Sequence, residues 1–296
     1  NAAYGDLCPI MAHRCRNVAR RMKKTVGFEG NNGATLTDRE LENVTELLGN
    51  LYGLDFSEPR RRRLVRGVLS RSRERECDGI EAYGALLCDD PAERQLLVDE
   101  VTNTLSRFFR NEAQLSAFTG RLLPRVRDQR GSGLIRIWSA GCSTGEEPHT
   151  LALLLDERAA GLPVRITGTD ISTRALRTAE SGIYPRSRLG EIPERYRRHV
   201  KCDEKTFRIA SSVREQMRFL LHNVWKPLDL PPQDMIFCRN VLSYLTETAR
   251  RKAVRAMHGA LREGGYLIIG NSETLVGVSP RFRSVRAAGV RVYQRE

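Results

Sequence analysis

The sequence lacks several patterns that would place it in a familiar class of protein. Its seven cysteines are scattered and never spaced as Cys-x-x-Cys, which argues against a zinc site and against a disulfide framework. No apolar run approaches the roughly 18–20 residues of a membrane helix, and nothing near the start is typical of a signal peptide. These absences predict a cytoplasmic protein with reduced thiols, no metal and no membrane insertion.

Two nucleotide-binding signatures are also absent, G-x-G-x-x-G and G-x-x-x-x-G-K-[ST], which weakens the case for NAD or ATP. The sequence nevertheless contains a strand–turn–helix pattern. An apolar run over 134–138 enters a turn with Gly141 and Gly145, and an apolar helical pattern follows. Glu146 and Glu147 stand in this turn, where they would repel a phosphate. The turn therefore predicts a ligand with positive charge and no phosphate.

Positive charge is in excess, with 49 Lys and Arg against 36 Asp and Glu. A formal net charge of +13 indicates an acidic partner such as nucleic acid, a membrane surface or an acidic protein. A general richness in arginine is the alternative explanation. The charge is densest over residues 60–75, which hold eight arginines: 60, 61, 62, 63, 66, 71, 73 and 75.

Hydrophobic periodicity divides the chain into three parts. Residues 1–33 have little periodicity and predict a mobile basic leader. Helical spacing begins at a capping box on Thr37, so residues 34–118 predict a small all-helical domain. From 119 to 296, strand-like runs alternate with helical segments, which is typical of an α/β domain with a parallel sheet covered by helices on both faces. Within it, residues 185–221 predict a small β-rich insertion.

Four polar segments follow predicted strands and should meet at one edge of the sheet. They are residues 141–147, 168–170, 237–240 and 263–267. Asp170 ends the second strand, where a carboxylate can hold ribose hydroxyls. S-adenosylmethionine has a ribose for Asp170, a sulfonium and an ammonium for Glu147, and no phosphate. It is therefore the predicted cofactor.

Four motifs, in this order, resemble those of the CheR-type chemoreceptor glutamate methyltransferases. They read TLSRFFR at 104–110, WSAGCSTGEEP at 138–148, FCRNVLSY at 237–244 and GGYLIIGNSE at 264–273. The resemblance runs from about residue 37 to the C-terminus. It implies a class I S-adenosylmethionine methyltransferase fold, a Rossmann-like sheet with helices on both faces, behind the helical N-terminal domain. It also implies a protein-glutamate O-methyltransferase that forms methyl esters on cytoplasmic receptor helices during chemotaxis adaptation.

The resemblance implies nine cofactor-binding residues: Thr104, Ser106, Arg110, Glu147, Asp170, Asn223, Val224, Arg239 and Asn240. Residue chemistry agrees for Arg110, which can pair with the methionine carboxylate, and for Glu147, which can pair with the ammonium. Arg239 and Asn240 would serve the adenosine or the acceptor. Tyr244 matches the family tyrosine near the transferred methyl group, although a core tyrosine with a satisfied hydroxyl is the alternative. Arg110 and Tyr244 are the predicted catalytic residues, in positioning roles, because an ionised glutamate needs no base.

The resemblance also implies partners. In the family, the basic helix meets the glutamate-rich methylation helices of the receptor, so Arg62, Arg66, Arg71 and Arg73 are predicted to bind the receptor. The β insertion resembles a subdomain that tethers a receptor C-terminal peptide in some family members.

Two other functions remain open. A nucleic-acid methyltransferase would suit the charge, but the fourth strand ends in Arg239-Asn240 rather than an Asn/Asp-Pro-Pro-Tyr motif, so nucleic acid is not the predicted partner. A cofactor-binding adaptor without turnover is the second alternative.

Overall fold

The computed structural model describes residues 36–58, 60–158, 163–275, 277–278 and 282–296, with no side chain described at 158. The predicted basic leader, 1–33, lies outside the described residues. The chain forms two compact units. The division falls between Asn103 and Thr104, and a short segment, Tyr244–Ala249, belongs to the first unit.

The longer secondary-structure elements of the first unit are all helices. Its helices are α1 (Asp38–Tyr52), α2 (Arg60–Glu74), α3 (Gly79–Asp89) and α4 (Pro91–Val101). Helix α1 begins at the predicted capping box: the Glu40 amide donates to Thr37 Oγ1 and the Thr37 amide donates to Glu40 Oε2, at 3.3 and 2.8 Å. Val44 and Leu48, on the apolar face of α1, are fully buried.

The helical residues after Thr104 belong to the second unit, so the predicted domain boundary near residue 118 is corrected. They form α5 (Glu112–Ala117), a π-helical turn (Phe118–Leu122) and α6 (Leu123–Arg130). Phe118 and Leu122 are buried in one hydrophobic cluster with the strand residue Ile137. Periodicity shows that a helix has an apolar face, but it does not show which core covers that face.

The core of the second unit is a seven-stranded sheet. In chain order its strands are β1 (Ile135–Ala140), β2 (Val164–Asp170), β6 (Met217–Leu221), β7 (Gln233–Cys238), β8 (Leu261–Ile269), β9 (Phe282–Ala287) and β10 (Val290–Arg295). The order across the sheet is β6-β2-β1-β7-β8-β10-β9. The first five strands are parallel, and the β9–β10 hairpin is antiparallel.

Winding reverses between β1 and β7, because the chain goes from β1 outward to β2 and β6 and then returns to the other side of β1. Ligands bind at such a switch point, beyond the carboxyl ends of the strands. The connecting helices include α7 (Glu146–Arg158), which follows β1, and α8 (Thr173–Ser181), which follows β2; α9 (Ser211–Arg214) precedes β6, and α10 (Glu247–Ala260) follows β7.

The insertion is a three-stranded antiparallel sheet of β3 (Ile183–Pro185), β4 (Val200–Cys202) and β5 (Thr206–Ile209), in the order β3-β5-β4. Two 3-10 helices, Arg186–Glu191 and Glu194–His199, join β3 to β4. The predicted insertion, 185–221, extends too far. Residues 217–221 form β6, which pairs in parallel with β2 in the main sheet, a long-range pairing that a short extended pattern does not reveal.

None of the described helices has the length and apolar character needed to cross a bilayer. The cysteines within the described ranges, at positions 77, 88, 142, 202 and 238, are free thiols. Over those same ranges, no cluster of three or more His, Cys, Asp or Glu side chains has the arrangement of a metal site.

Candidate functional site

The glycine turn after β1 has a shape that only glycine accommodates. Gly141 and Gly145 have φ values of +74° and +93°, in the left-handed region that side chains disfavour. A Cβ on Gly141 would collide with Val241 Cγ2, and one on Gly145 would lie 2.7 Å from Ala179 Cβ. The Gly141 amide donates to the Thr169 carbonyl at 2.7 Å, so the turn is fixed against the end of β2.

Asp170, at the end of β2, is held by backbone amides. Its Oδ2 accepts from the Ser143 amide at 2.8 Å and its Oδ1 from the Ser172 amide at 2.9 Å. These two backbone contacts fix the orientation of the carboxylate, a group whose oxygens accept hydrogen bonds from hydroxyls such as those of a ribose. The predicted ribose carboxylate is therefore preorganised.

Glu147 has a cationic partner within the protein. Arg239 Nε donates to Glu147 Oε2 at 2.5 Å, and Ser139 Oγ donates to Oε1 at 2.6 Å. Arg239 Nη1 also donates to the Arg110 carbonyl at 2.7 Å. Because Glu147 is already paired, a ligand ammonium would share this carboxylate with Arg239 rather than meet a bare negative charge.

Glu146 is also paired, and it does not face a ligand. It is fully buried, it accepts from Thr144 Oγ1 at 2.7 Å, and Arg188 Nη1 donates to its Oε1 at 2.5 Å. The acidic turn therefore does not present unbalanced negative charge to a cation, as its sequence suggested, because Glu146 and Glu147 are each balanced by an arginine. A ligand would therefore be recognised by hydrogen bonds to groups of fixed orientation rather than by unbalanced negative charge.

Arg110 lies in the loop that precedes α5. Its side chain is exposed, and within the part of the chain that the structure describes it has no ion pair or hydrogen bond. Phe109 and Asn111 beside it have φ values of +50° and +65°, so the loop is strained on both sides of Arg110. An arginine that is held by its backbone and left unpaired at its guanidinium suits a carboxylate ligand.

Contacts bring several predicted residues together. Ser143 Oγ donates to the Thr104 carbonyl at 3.1 Å, and the Ser143 amide donates to Asp170. Ser106 is half-buried, and its carbonyl accepts from Arg188. Thr104 and Arg110 are therefore anchored to the same strand edge as Asp170, and Ser106 between them is held by Arg188 of the insertion.

Residues 222–224 close the side of the site next to β2. The His222 amide donates to the Asp170 carbonyl at 2.9 Å. Asn223 and Val224 follow, with 1% and 6% of their surface exposed. Asn223 and Val224 thus follow, by one and two positions, the residue whose amide contacts Asp170 directly.

Asn240, after β7, depends on Glu273, which the sequence analysis missed. Asn240 has φ +59°, and its amide donates to Glu273 Oε2 at 2.9 Å; the Gly270 and Ser243 amides donate to the same carboxylate at 2.8 and 3.1 Å. A Cβ on Gly270 would lie 2.8 Å from Glu273 Oε2. Gly270 and Glu273 stand three residues apart in the last motif. This spacing was the sequence feature that could have indicated the support of Asn240 by Glu273.

Tyr244 is not grouped with the cofactor residues by the contacts described. It belongs to the first unit, where its hydroxyl accepts from Asn103 Nδ2 at 2.9 Å and the Arg60 guanidinium lies 5.3 Å from its ring centroid. These contacts match the alternative of a packed tyrosine with a satisfied hydroxyl. A catalytic role for Tyr244 stays a prediction.

The arginines of α2 fall into two groups. Arg71 donates from Nε and Nη2 to Glu93 at 2.9 and 2.7 Å, and Glu93, which is 1% exposed, also accepts from Tyr83 Oη. Arg71 is therefore an internal ion-pair partner with a side chain that is 13% exposed, which speaks against its predicted role in receptor binding. The density of arginines in a helix sequence does not show which of them pairs with a buried carboxylate.

Three other arginines form what we call the arginine face: Arg62, Arg66 and Arg73. Their spacing of four and seven residues places them on one side of the helix, and all three are exposed. Over the described ranges Arg66 and Arg73 have no partner, and Arg62 Nε lies 3.9 Å from Glu58 Oε2 with 85% of its side chain exposed.

His149, in the first half of α7, is buried and neutral. Its Nδ1 donates to the Gly145 carbonyl at 2.7 Å and lies 2.9 Å from Tyr184 Oη. Burial lowers the pKa of His149 to about 4, because the charged imidazolium would lose its hydration. A fully buried imidazole cannot reach an acceptor, so His149 supports the turn rather than acting as a base.

The fold and the site together define the class of protein. A parallel sheet with a switch point at β1 and β7, a glycine turn after β1, a preorganised carboxylate ending β2 and an antiparallel last hairpin form the class I methyltransferase fold. A sequence model of the family described as "CheR methyltransferase, SAM binding domain" matches residues 104–290, and one described as "CheR methyltransferase, all-alpha domain" matches residues 39–102. The chain belongs to the CheR methyltransferase family, and its cofactor is S-adenosylmethionine.

Curated relatives cover most of the chain. A chemotaxis protein methyltransferase 2 of Pseudomonas aeruginosa is 31% identical over 270 residues, which is 86% of this chain and 94% of the relative. A chemotaxis protein methyltransferase of Borreliella burgdorferi is 29% identical over 263 residues, 82% and 90% of the two chains. An uncharacterized 104.1 kDa protein of Rhodobacter capsulatus is 31% identical over 90% of this chain, which spans only 28% of that relative's length.

Proposed function

We propose that the protein transfers the methyl group of S-adenosylmethionine to glutamate side chains on the cytoplasmic helices of chemoreceptors, as a cytoplasmic protein-glutamate O-methyltransferase in chemotaxis. Relatives named as chemotaxis protein methyltransferases support the pathway. The observation that carries the choice of acceptor is the arginine face of α2. Three exposed guanidinium groups on one side of a helix, two of them without any partner among the described residues, suit docking of an acidic helix.

The residues of the site fit this cofactor. Arg110 offers a cation for its carboxylate that is unpaired among the described residues, and Asp170 offers a carboxylate of fixed orientation for its ribose. Glu147, held between Ser139 and Arg239, offers a share of its carboxylate for the ammonium. Bound S-adenosylmethionine supplies a methyl group on a sulfonium leaving group.

The chemistry needs alignment rather than acid–base catalysis. A glutamate side chain is ionised at neutral pH, so one carboxylate oxygen can form a bond to the methyl carbon. The carbon–sulfur bond breaks at the same time and its electron pair stays on sulfur, so no proton moves. The protein's task is to hold the reacting atoms in line and to exclude water, which agrees with a site in which backbone amides and arginines fix every carboxylate.

The first experiment offers labelled S-adenosylmethionine with a receptor cytoplasmic fragment and, in parallel, with duplex and single-stranded nucleic acid. We expect label on the receptor fragment that is released as methanol by mild base, the signature of a carboxyl methyl ester. Base-stable label on protein would contradict the proposed ester. Label on nucleic acid alone would favour the alternative enzyme class, and no transfer to any acceptor, despite cofactor binding, would favour the adaptor.

The second experiment tests the arginine face. The double variant Arg62→Ala/Arg66→Ala should lower receptor methylation and flatten its dependence on salt. The matched control is Arg121→Ala/Arg125→Ala, which removes two exposed arginines of the same spacing from the second unit. Equal rates for wild type and both variants at low salt would overturn docking through α2.

A further inference from the structure

The backbone of the 104–110 loop is held by side chains rather than by regular secondary structure. Five of its polar groups have partners of this kind: the carbonyls of Thr104, Ser106 and Arg110 and the amides of Phe108 and Phe109. Three of these partners, Ser143, Thr150 and Arg239, come from the strand edge and from α7. The other two, Arg188 and Glu191, come from the 3-10 helix that follows β3 in the insertion.

Arg188 is the centre of this second group. Its Nη2 donates to the Ser106 carbonyl at 2.8 Å and to Glu191 Oε2 at 2.9 Å, and its Nη1 donates to Glu146 at 2.5 Å. Glu191 Oε2 in turn accepts from the Phe108 amide at 2.9 Å. One guanidinium thus joins the first turn of α7, the insertion and the 104–110 loop.

The charges in this group reinforce one another. Burial disfavours the ionised form of Glu191, but hydrogen bonds from Arg188 and from the Phe108 amide outweigh it, so the pKa of Glu191 is lowered. Glu146 is fully buried, whereas the Arg188 side chain is 25% exposed. Replacing Arg188 would leave two carboxylates without their cation and the Ser106 carbonyl without its donor.

Aromatic packing joins the same two segments. The Phe108 ring meets Tyr184 of β3 edge-on, with 4.8 Å between centroids, and the Phe109 ring stacks on Tyr196 at 5.0 Å. The Arg188 guanidinium lies 5.7 Å from the Phe108 centroid. Because Phe109 and Asn111 have positive φ values, the loop would relax to an unstrained backbone if these contacts were lost.

We infer that Arg188 is a positioning residue of the cofactor site: by fixing the 104–110 loop it places Arg110, and it makes the β insertion part of the determinants of S-adenosylmethionine affinity. The inference rests on the proposed assignment of Arg110 as a cofactor contact. It goes beyond that assignment because Arg188 and Glu191 belong to the insertion and not to the strand edge. By thermodynamic reciprocity, cofactor binding should in turn stabilise the insertion.

The test is the dissociation constant of S-adenosylhomocysteine measured by calorimetry on the full chain. Arg188→Met should weaken binding by about tenfold or more. Without Arg188 the 104–110 loop is less ordered in the free protein, so part of the binding free energy is used to order it. The matched control is Arg186→Met in the same 3-10 helix, where the guanidinium donates to the Asp203 carbonyl within the insertion. The control should bind within about twofold of wild type. Wild-type affinity in Arg188→Met, or an equal loss in Arg186→Met, would overturn the inference.

A second variant separates positioning from stability. In Arg188→Met/Glu146→Gln the buried carboxylate that lost its cation is neutral, and the amide can keep its hydrogen bond with Thr144. This variant should unfold at a higher temperature than Arg188→Met and still bind weakly. If affinity returned together with stability, Arg188 would be a structural residue only.

Hydrogen exchange measures whether cofactor binding protects the insertion, a coupling that a purely structural role of Arg188 would leave unchanged. In wild type, S-adenosylhomocysteine should protect the amides of Phe108 and of strands β3 and β5; in the double variant the protection of the insertion should be lost. Arg110→Ala distinguishes a failure of the positioning role of Arg188 from a failure of the cofactor contact of Arg110. If Arg110→Ala weakens binding and Arg188→Met does not, only the inference fails. If Arg188→Met weakens binding and Arg110→Ala does not, the assignment of Arg110 fails, and with it the part of the inference in which Arg188 acts by placing Arg110; the effect of Arg188 on affinity would then come from the rest of the 104–110 loop.

Discussion

The glycine turn of the second unit and helix α2 of the first unit are both dense in charge of one sign, and the structure treats them differently. In the turn, Glu146 and Glu147 each have an arginine partner, Arg188 and Arg239. In α2, Arg71 has such a partner, whereas on the arginine face Arg66 and Arg73 have none among the described residues and Arg62 has only an exposed contact with Glu58 at 3.9 Å. Paired charge inside a unit holds the unit together. Unpaired charge of one sign on an exposed helix side is what a partner of opposite sign can use.

The comparison is sharpest within α2, where one helix carries both kinds of arginine. Arg71→Met should lower the free energy of unfolding by up to about 3–5 kcal/mol, because it removes the two-pronged cation of the buried Glu93 carboxylate and leaves only the longer contact from Arg75 Nε at 3.5 Å. Arg66→Met should change it by no more than about 0.5 kcal/mol, as exposed sites usually do. Urea unfolding followed by circular dichroism measures both. Similar losses for the two variants would remove the distinction between paired and exposed arginines.

His149 adds a third case, a buried ionisable group without a charged partner. Its folded pKa of about 4 lies below the ordinary value of 6.5, so the unfolded chain binds more protons between these two values. Stability should therefore fall as pH is lowered from about 6.5 to about 4, by roughly 3 kcal/mol at most. His149→Gln should show a flatter profile over this window in urea titrations at several pH values. An unchanged profile would show that other groups dominate the acid sensitivity.

The arginine face should matter for turnover on a receptor and not for the fold. Replacing Arg62, Arg66 and Arg73 with alanine should lower kcat/KM for receptor methylation by about tenfold at low salt, since exposed pairs contribute roughly 0.2–1 kcal/mol each. The dissociation constant of S-adenosylhomocysteine should be unchanged. Loss of cofactor affinity in this variant would show that the face has a structural role after all.

The smallest effect concerns the helix cap at the start of α1. Thr37→Ala removes the capping box with Glu40 and should cost about 1 kcal/mol of stability. The comparison is the thermal unfolding of Thr119→Ala, which removes a hydroxyl whose hydrogen bonds go to two preceding helical carbonyls, those of Leu115 and Ser116. An equal or larger effect in the control would mean that the cap is not what stabilises the start of the helix.

Local patterns predicted the parts of the molecule that depend on neighbours in sequence. The capping box of α1, the strands β1, β2 and β7 and the glycine turn are where the sequence analysis placed them, because helical spacing, β-branched runs and positive φ at glycine are local properties. The errors came from long-range pairing. Strand β6 looks like the strands of the insertion in isolation, and only its register with β2 assigns it to the main sheet.

The cofactor site divides in the same way. Gly141, Gly145 and Asp170 could be found from their places after predicted strands. Their supports could not, because Glu146 and Arg188 are 42 residues apart and Glu147 and Arg239 are 92 residues apart. Glu273, which fixes Asn240 from 33 residues away, was missed for the same reason.

The sequence by itself determined the class of the fold, the glycine turn with its acidic residues, and an excess of arginine on one helix, since each of these is written in composition and spacing. Only the tertiary structure decided which charges are available. A charge's effect depends on what lies within a few ångströms of it and on how much water surrounds it, and both are set by residues far away in the chain. That is why Glu146 turned out to be a structural residue, Arg71 an internal partner and Arg110 an open cation.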